Sequence, residues 1–284
     1  MEIGYPKKED RERVRFLWKY CFGDSDAFLD YFFDKYYKEE ITPCVIEDGK
    51  IVSDLMIFPH NIVKDGKEIK AAYIAGVVTD PFYRGGGNIT ALFAHLEERL
   101  RSEGYEAFFL IPFNFSFYRK YGLECASYLC EYSGDILSLP KFLVLPKNGG
   151  NKEEIYKKFC LGKPLYLVRD KVCEEEFLSD VKNDGGYEYV SEDAYMYYFL
   201  QNDTFFAQEM VFSSEEGAQR AINFVKSHSA QVKKFIIRSD FSLSKFLCEK
   251  NIEIKTKPHV MVKYLNGEKV EGNLDVYFNM IGWV

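Results

Sequence analysis

Apolar positions along the first 135 residues follow two periods in turn. Val14, Leu17, Trp18 and Cys21 share one stripe at i, i+3, i+4 and i+7, which predicts a helix. A second helix begins near Ser25-Asp26 and carries Leu29, Phe32, Phe33 and Tyr36. The pattern then turns strand-like: residues 43–46 and 51–58 flank the turn Glu47-Asp48-Gly49-Lys50 and read as a hairpin. Another polar turn, Lys64-Asp65-Gly66-Lys67, leads to an apolar run at 71–79, read as a buried strand ended by Asp80-Pro81. Ile89, Leu92, Phe93, Leu96 and Leu100 return to helical spacing, with Gly104 as the stop. A strand at 106–111 and a short helix around Tyr118 follow. The run 145–152 holds turn formers without periodicity, the expected linker between domains at 1–146 and 152–284.

The second half repeats this order faintly. Residues 205–212 read as a strand, and 215–228 as a helix carrying Ala218, Ala221, Ile222 and Val225. Residues 235–242 match 109–116 in four of eight positions, 126 residues later, and a helical stretch at 243–250 follows. Local chemistry differs. Ser213-Ser214-Glu215-Glu216-Gly217 stands where the first half has Arg84 and three glycines, and Ser244 stands where it has Tyr118. Strands interleaved with helices, given twice, predict an α/β protein with mixed sheets in tandem.

Arg84-Gly85-Gly86-Gly87-Asn88-Ile89 joins a predicted strand to a predicted helix. A helix start offers unpaired amides and the positive end of the macrodipole, and glycine lets an anion approach closely. Arg84 adds a cation, so a phosphate carrier is the expected ligand. A kinase-type loop needs Lys-Ser/Thr after the glycines, where Asn88-Ile89 stands; a dinucleotide fingerprint needs a third glycine, where Thr90 stands. The bland alternative for the run is a flexible turn.

Arg84 and Gly87, entered from Pro81, resemble the Gln/Arg-x-x-Gly-x-Gly/Ala signature of the GNAT superfamily of N-acetyltransferases, with Ile89 in place of the usual small residue. Tyr118-Arg119-Lys120-Tyr121-Gly122-Leu123, about 30 residues later, resembles the family's Tyr-x-x-x-Gly-Phe helix end. Within the family, the tandem plan is similar to the enhanced-intracellular-survival branch, for whose third domain this chain is too short. The resemblance implies two tandem GNAT-like domains, the second degenerate, with acetyl-CoA as co-substrate and no metal. It implies that backbone of Val77, Val78 and Thr79 pairs with pantetheine, and that Arg84 and the amides of Gly85, Gly86, Gly87, Asn88, Ile89 and Thr90 hold the pyrophosphate. Phe113 and Asn114 complete the expected cofactor site. Tyr118 would protonate the departing thiolate; its plain alternative is one core tyrosine among 21. The function expected is acetyl transfer to a primary amine of a small molecule or peptide by direct attack. The alternative is a non-catalytic acyl-CoA sensor or assembly module. Asp54, His60 and Glu124 are candidate bases, each equally readable as a surface or turn residue.

Composition narrows the rest. With 47% hydrophobic and 17% aromatic residues in 284, the chain can build a large core. A net charge of −7 without a basic run argues against nucleic acid as a partner. Seven cysteines at irregular spacing, with no Cys-x-x-Cys, read as reduced thiols and not as a zinc site or disulfide set. No signal peptide or 18-residue apolar run is visible, so a cytoplasmic protein without membrane contact is expected. Neither acceptor nor oligomeric state can be read.

Overall fold

The computed structural model describes residues 1–248 and 251–278. In chain order the elements are β1 (Glu2–Gly4), α1 (Arg11–Phe22), α2 (Asp26–Lys35), β2 (Cys44–Glu47), β3 (Lys50–Lys64), β4 (Lys67–Thr79), α3 (Asn88–Ser102), β5 (Ala107–Leu110), α4 (Phe115–Arg119), β6 (Glu124–Cys125) and β7 (Tyr128–Asp135). Then come α5 (Lys152–Cys160), β8 (Leu165–Leu167), α6 (Lys171–Asn183), β9 (Tyr187–Val190), β10 (Ala194–Gln201), β11 (Thr204–Phe212), α7 (Glu215–Ser227), β12 (Lys234–Ser239), β13 (Ile252–Pro258) and β14 (Met261–Tyr264). The helix expected at 243–250 is a 3₁₀ turn, Phe241–Lys245, capped by Asp240, whose side chain accepts from the Ser242 amide; Lys250 lies outside the described residues.

The chain divides into two units, one of residues 1–62, 69–125 and 261–271, the other of 63–68, 126–260 and 272 onward. The first sheet runs β1-β2-β3-β4-β5-β14-β6 and the second β9-β10-β11-β12-β7-β13. Both contain the same signature: β4 pairs parallel with β5 and β11 parallel with β12, and in each sheet the next strand is antiparallel to both its neighbours. That next strand is contributed by the other half of the sequence. β14, from the far end, lies between β5 and β6; β7, from the first half, lies between β12 and β13. The tandem plan is therefore a reciprocal exchange of last strands. The division differs from the expected 1–146 and 152–284: 126–151 falls in the second unit and 261–271 in the first. Apolar alternation marks a strand without saying which sheet it joins, so the exchange left no trace in the pattern.

Within the first unit, α1 buries Val14, Leu17 and Trp18, and ends on Gly23, whose amide bonds the Lys19 carbonyl. Ser25 caps α2 by accepting from the Phe28 amide at 3.2 Å. On α3, Leu92, Phe93, Leu96 and Leu100 fill the core with Leu55, Ile57 and Phe108. Arg13 on α1 reaches Asp80, just past β4, at 2.5 Å and also donates to the Ile51 carbonyl. Burial alone would raise the Asp80 carboxyl, but the Arg13 and Phe82 hydrogen bonds outweigh it and hold it below the usual range.

The second unit buries an ionic cluster. Arg169 is fully buried and grips Glu209 through two bonds at 2.7 and 2.8 Å, while the Tyr277 hydroxyl donates to the same carboxylate at 2.7 Å. Such clusters fix which residues face inward more than they add stability.

Asp54 on β3 is 1% exposed, and neither carboxyl oxygen has a hydrogen-bond partner. Burial pushes its carboxyl well above the carboxylate range, and the attraction of Arg13 does not undo this. The folded chain thus holds a proton that the unfolded chain releases above roughly pH 4. Stability is full below that pH and falls as pH rises toward the folded value, by about 1.4 kcal/mol per unit. In Asp54→Asn this loss is absent, so its stability relative to the parent should improve as pH rises above about 4 in denaturant melts; a gap independent of pH would contradict the assignment. A second expectation concerns the exchanged strands. A chain ending at residue 146 keeps β7 but lacks β14, and should fail to melt cooperatively by circular dichroism. Joining 261–271 after residue 125 through a short linker should restore cooperativity, whereas a stable 1–146 fragment would refute the dependence.

Candidate functional site

The opening starts where two strands part. β4 and β5 pair only from Ala71–Ala107 to Tyr73–Phe109, but β4 continues to Thr79. The register with β5 ends at Tyr73, and Ser53 supports the far end of β4 by donating to the Val78 carbonyl at 2.6 Å. Asp80 then caps a short turn, Pro81–Tyr83, through the Phe82 amide. Gly85 and Gly87 have φ of +81° and +83°, which residues with a Cβ rarely adopt. They turn the chain so that α3 starts on Gly87 with no side chain capping its amides. Its first backbone bond runs from the Ala91 amide to the Gly87 carbonyl, and the earlier amides are left for solvent or ligand.

On the other side of the opening, Asn114 caps α4 by accepting from the Ser116 and Phe117 amides at 3.0 and 3.3 Å. One turn later, Tyr118 lies 6.1 Å from the Phe93 ring, and Tyr121 stacks on Phe93 at 4.5 Å and 6°.

A cavity of about 920 Å³ lies among these elements. Of the expected site residues it is lined by Val77, Val78, Thr79, Arg84, Gly85, Gly87, Asn88, Ile89, Thr90, Phe113, Asn114 and Tyr118. Gly86 is exposed and lies outside the lining. Arg84 and Lys120 are the charged side chains of the lining, both cationic in a chain of net charge −7. Arg84 is steadied by the Thr79 carbonyl at 3.4 Å. Asn88 donates to the Tyr83 carbonyl at 3.2 Å, and its own buried side-chain oxygen has no partner. Burial, with a smaller contribution from Tyr121, pushes the Tyr118 phenol up to about 12, so it stays protonated at neutral pH.

The candidate bases are elsewhere. Asp54 is buried outside the lining, His60 packs among aromatic rings 6.4 Å from Tyr73 and 6.0 Å from Phe109, and exposed Glu124 lies on β6. His95, off its helix's apolar stripe, is half-buried and paired with the Tyr5 hydroxyl at 3.2 Å. Among nearby aromatics, Phe113 lines the cavity, Phe58 and Tyr73 are buried outside it, and Phe82 is exposed.

Sequence reading missed Cys21, Phe22, Tyr83, Phe117, Lys120 and Tyr121, which complete the lining. Phe117, Lys120 and Tyr121 flank Tyr118 on the same short helix end, a signal within reach; Cys21 and Phe22 come from the end of α1, which only the fold brings here.

The corresponding helix start in the second unit is capped. Ser214 caps α7 through the Gly217 amide at 3.0 Å, and Asp193 accepts from both Ser214 and Arg220. Glu215 and Glu216 add two carboxylates in the first turn. A cavity of about 490 Å³ lies at this helix start, where Glu192, Asp193, Glu215 and Glu216 outnumber Lys147 and Lys158 in the lining. Among the described residues, no group of three metal-ligating side chains converges, and no helix is long and apolar enough to cross a membrane.

Residues 2–126 match the family model for an acetyltransferase (GNAT) domain. Among solved structures, a conserved protein from Enterococcus faecalis aligns with a TM-score of 0.79 and 20% identity, over 93% of this chain and 72% of its own. A GCN5-related N-acetyltransferase from Anabaena variabilis gives 0.76 and 22%, over 93% and 73%, and Eis1 from Mycobacterium abscessus 0.73 and 12%, over 93% and 73%. At these identities the likeness is one of fold, and its extent takes in both units. No curated protein matches the chain. The family match covers the strand, glycine turn and helices that frame the cavity, and residues 2–126 accordingly form a GNAT acetyltransferase domain.

Proposed function

We propose that the protein transfers an acetyl group from acetyl-CoA to a primary amine of a small molecule or peptide, by direct attack of the amine on the thioester. One observation carries this reading: α3 starts without a side-chain cap, inside a cavity whose charged side chains are both cations. Diphosphate is the natural complement of such a helix start. The unpaired edge of β4 from Ile74 to Thr79 supports the same reading, since an extended amide chain such as pantetheine can add to a strand edge.

In the reaction, the amine nitrogen bonds to the carbonyl carbon and the carbon–sulfur bond breaks. The Tyr118 phenol gives its proton to the sulfur that leaves. Backbone amides at the end of β4 are the candidates for holding the oxygen as it gains charge. The amine must also lose a proton. Because neither carboxylate nor imidazole lines the cavity, water takes that proton, and the acceptor enters neutral beside two cations. The same observation favours one rival, a protein that binds acyl-CoA as a sensor or assembly module without turnover. Seven cysteines at irregular spacing fit a reducing, cytoplasmic setting for either reading.

Acetyl-CoA should raise the melting temperature, by mass action worth about 2.7 kcal/mol at a hundredfold excess over Kd. Gly87→Glu, which strains the turn and puts a carboxylate in the cradle, should abolish that shift while the variant still folds; an unchanged shift would place the ligand elsewhere. Thiol release from acetyl-CoA, measured against polyamines, aminoglycosides and amino-acid amines, separates the enzyme from the sensor, which would bind without release. General acids contribute about 10²- to 10⁴-fold. Tyr118→Phe should therefore lower turnover at least tenfold with acetyl-CoA affinity unchanged, and full activity would remove the acid role. The pH profile has a defined sign. Turnover should climb from pH 7 toward 10 as the acceptor loses its proton, because a phenol raised to about 12 is still protonated throughout. A decline setting in well below pH 10 on wild type but not on Tyr118→Phe would show an ordinary phenol and contradict the burial argument.

A further inference from the structure

α4 has five residues, about one turn, and a single turn cannot hold its own orientation. Its N-terminal end is fixed by Asn114. Its C-terminal end is fixed from 142 residues away: Lys263 on β14 donates from Nζ to the Tyr121 carbonyl at 2.8 Å. The Tyr121 amide in turn donates to the Tyr118 carbonyl at 3.0 Å, so two hydrogen bonds connect Lys263 to the backbone of Tyr118. The ammonium also meets Glu97 on α3 at 2.5 Å. Gly122 makes room for this arrangement. Its φ is +79°, and a Cβ there would sit 3.2 Å from Lys263 Cε. β14 itself is anchored: it pairs with β5 from Met261–Leu110 to Tyr264–Ala107, and Arg101 on α3 donates to the Leu265 carbonyl.

We propose that Lys263, delivered by the exchanged strand β14, is a positioning residue for Tyr118, holding the α4 end so that the phenol meets the leaving sulfur. The inference rests on the reading of Tyr118 as the acid. In that role the far end of the sequence sets the rate of a site whose own residues lie before 126. Its effect falls on kcat and not on acetyl-CoA binding, because Lys263 does not line the cavity.

The test is a set of variants assayed by thiol release from acetyl-CoA, with the fastest amine of the panel. Lys263→Met should lower kcat roughly tenfold, since small misplacements of a reacting group are costly, with KM for acetyl-CoA within about twofold of the parent. Glu97→Gln loses the ion pair but leaves the carbonyl contact, and should keep kcat within about twofold. Lys263→Arg, which keeps a donor for the carbonyl, should recover most of the loss. In a Tyr118→Phe background, Lys263→Met should change kcat by less than about twofold, because the group it positions is gone. The proposal falls if Lys263→Met keeps full kcat, if Glu97→Gln reproduces its loss, or if the loss is undiminished in the Tyr118→Phe background. That last result would leave the acid role standing. A fully active Tyr118→Phe, or no thiol release with any amine, would instead remove the acid role and this proposal with it. Should Lys263→Met not fold, Lys263→Gln takes its place under the same criteria.

Discussion

What α3 does with its first amides decides what the first unit can bind. Any helix leaves its leading amides without intrahelical partners, and most sequences spend a Ser, Thr, Asn or Asp side chain on them. α7, in the corresponding place of the second sheet, does so with Ser214, and Asp193 and the carboxylates of Glu215 and Glu216 add negative charge around the same spot. α3 begins instead on Gly87, whose side chain can cap nothing, and the Pro81–Tyr83 turn carries the chain past the helix start without covering it. The stability cost is small, since glycine at a helix start is only a few tenths of a kcal/mol worse than a capping side chain. Water satisfies the amides until an anion replaces it. Two helices in equivalent positions thus differ by one cap and by the charge that surrounds it.

The cavity exists because the neighbouring strands separate. β5 ends at Leu110 while β4 runs on to Thr79, so the sheet opens on the side where the glycine turn delivers α3. Charge and protonation agree with that shape. Arg84 and Lys120 supply positive charge, and the Tyr118 phenol, kept protonated by burial, adds no negative charge beside them. The fully buried carboxyl of Asp54 is kept out of the cavity on β3, where it costs stability and does not counter the cations.

Sequence made legible whatever is local. The run from Ala71 to Leu100 declares strand, turn and helix by periodicity, and the glycines and Arg84 sit between them; Tyr118 follows at the family's spacing. Features that depend on distant contacts stayed hidden. Cys21 and Phe22 belong to α1 by pattern and to the cavity only by packing. α6 buries Glu174 and Asp180, so its inner face reads as polar and its helix goes unseen. α5 carries Asn151 as a cap and buries Ile155, Tyr156, Phe159 and Cys160, yet it directly follows the turn-rich run and is overshadowed by it. The stretch after Asp240 resembles the residues leading into α4 but forms only a 3₁₀ turn, with the Asp240 carboxylate accepting from the Ser242 amide and hydroxyl. Strand membership was the largest omission: β7 and β14 look like ordinary strands, and nothing in their alternation says that each completes the other half's sheet.

That exchange also makes the first sheet depend on the second half of the chain. The matched family segment ends at 126, but a sheet ending there would have β5 and β6 with no strand between them. The strand that fills the gap, β14, is reached only after the whole second half has been traversed, and it brings Lys263 to the short helix that carries Tyr118. Deleting the second half would therefore open the first sheet and release α4 together. Contacts spanning 142 and 166 residues also close late in folding, because long loops must form before they are rewarded. The cradle for the cofactor can be built from residues before 126, but the phenol beside it is held in place only when the chain is nearly complete.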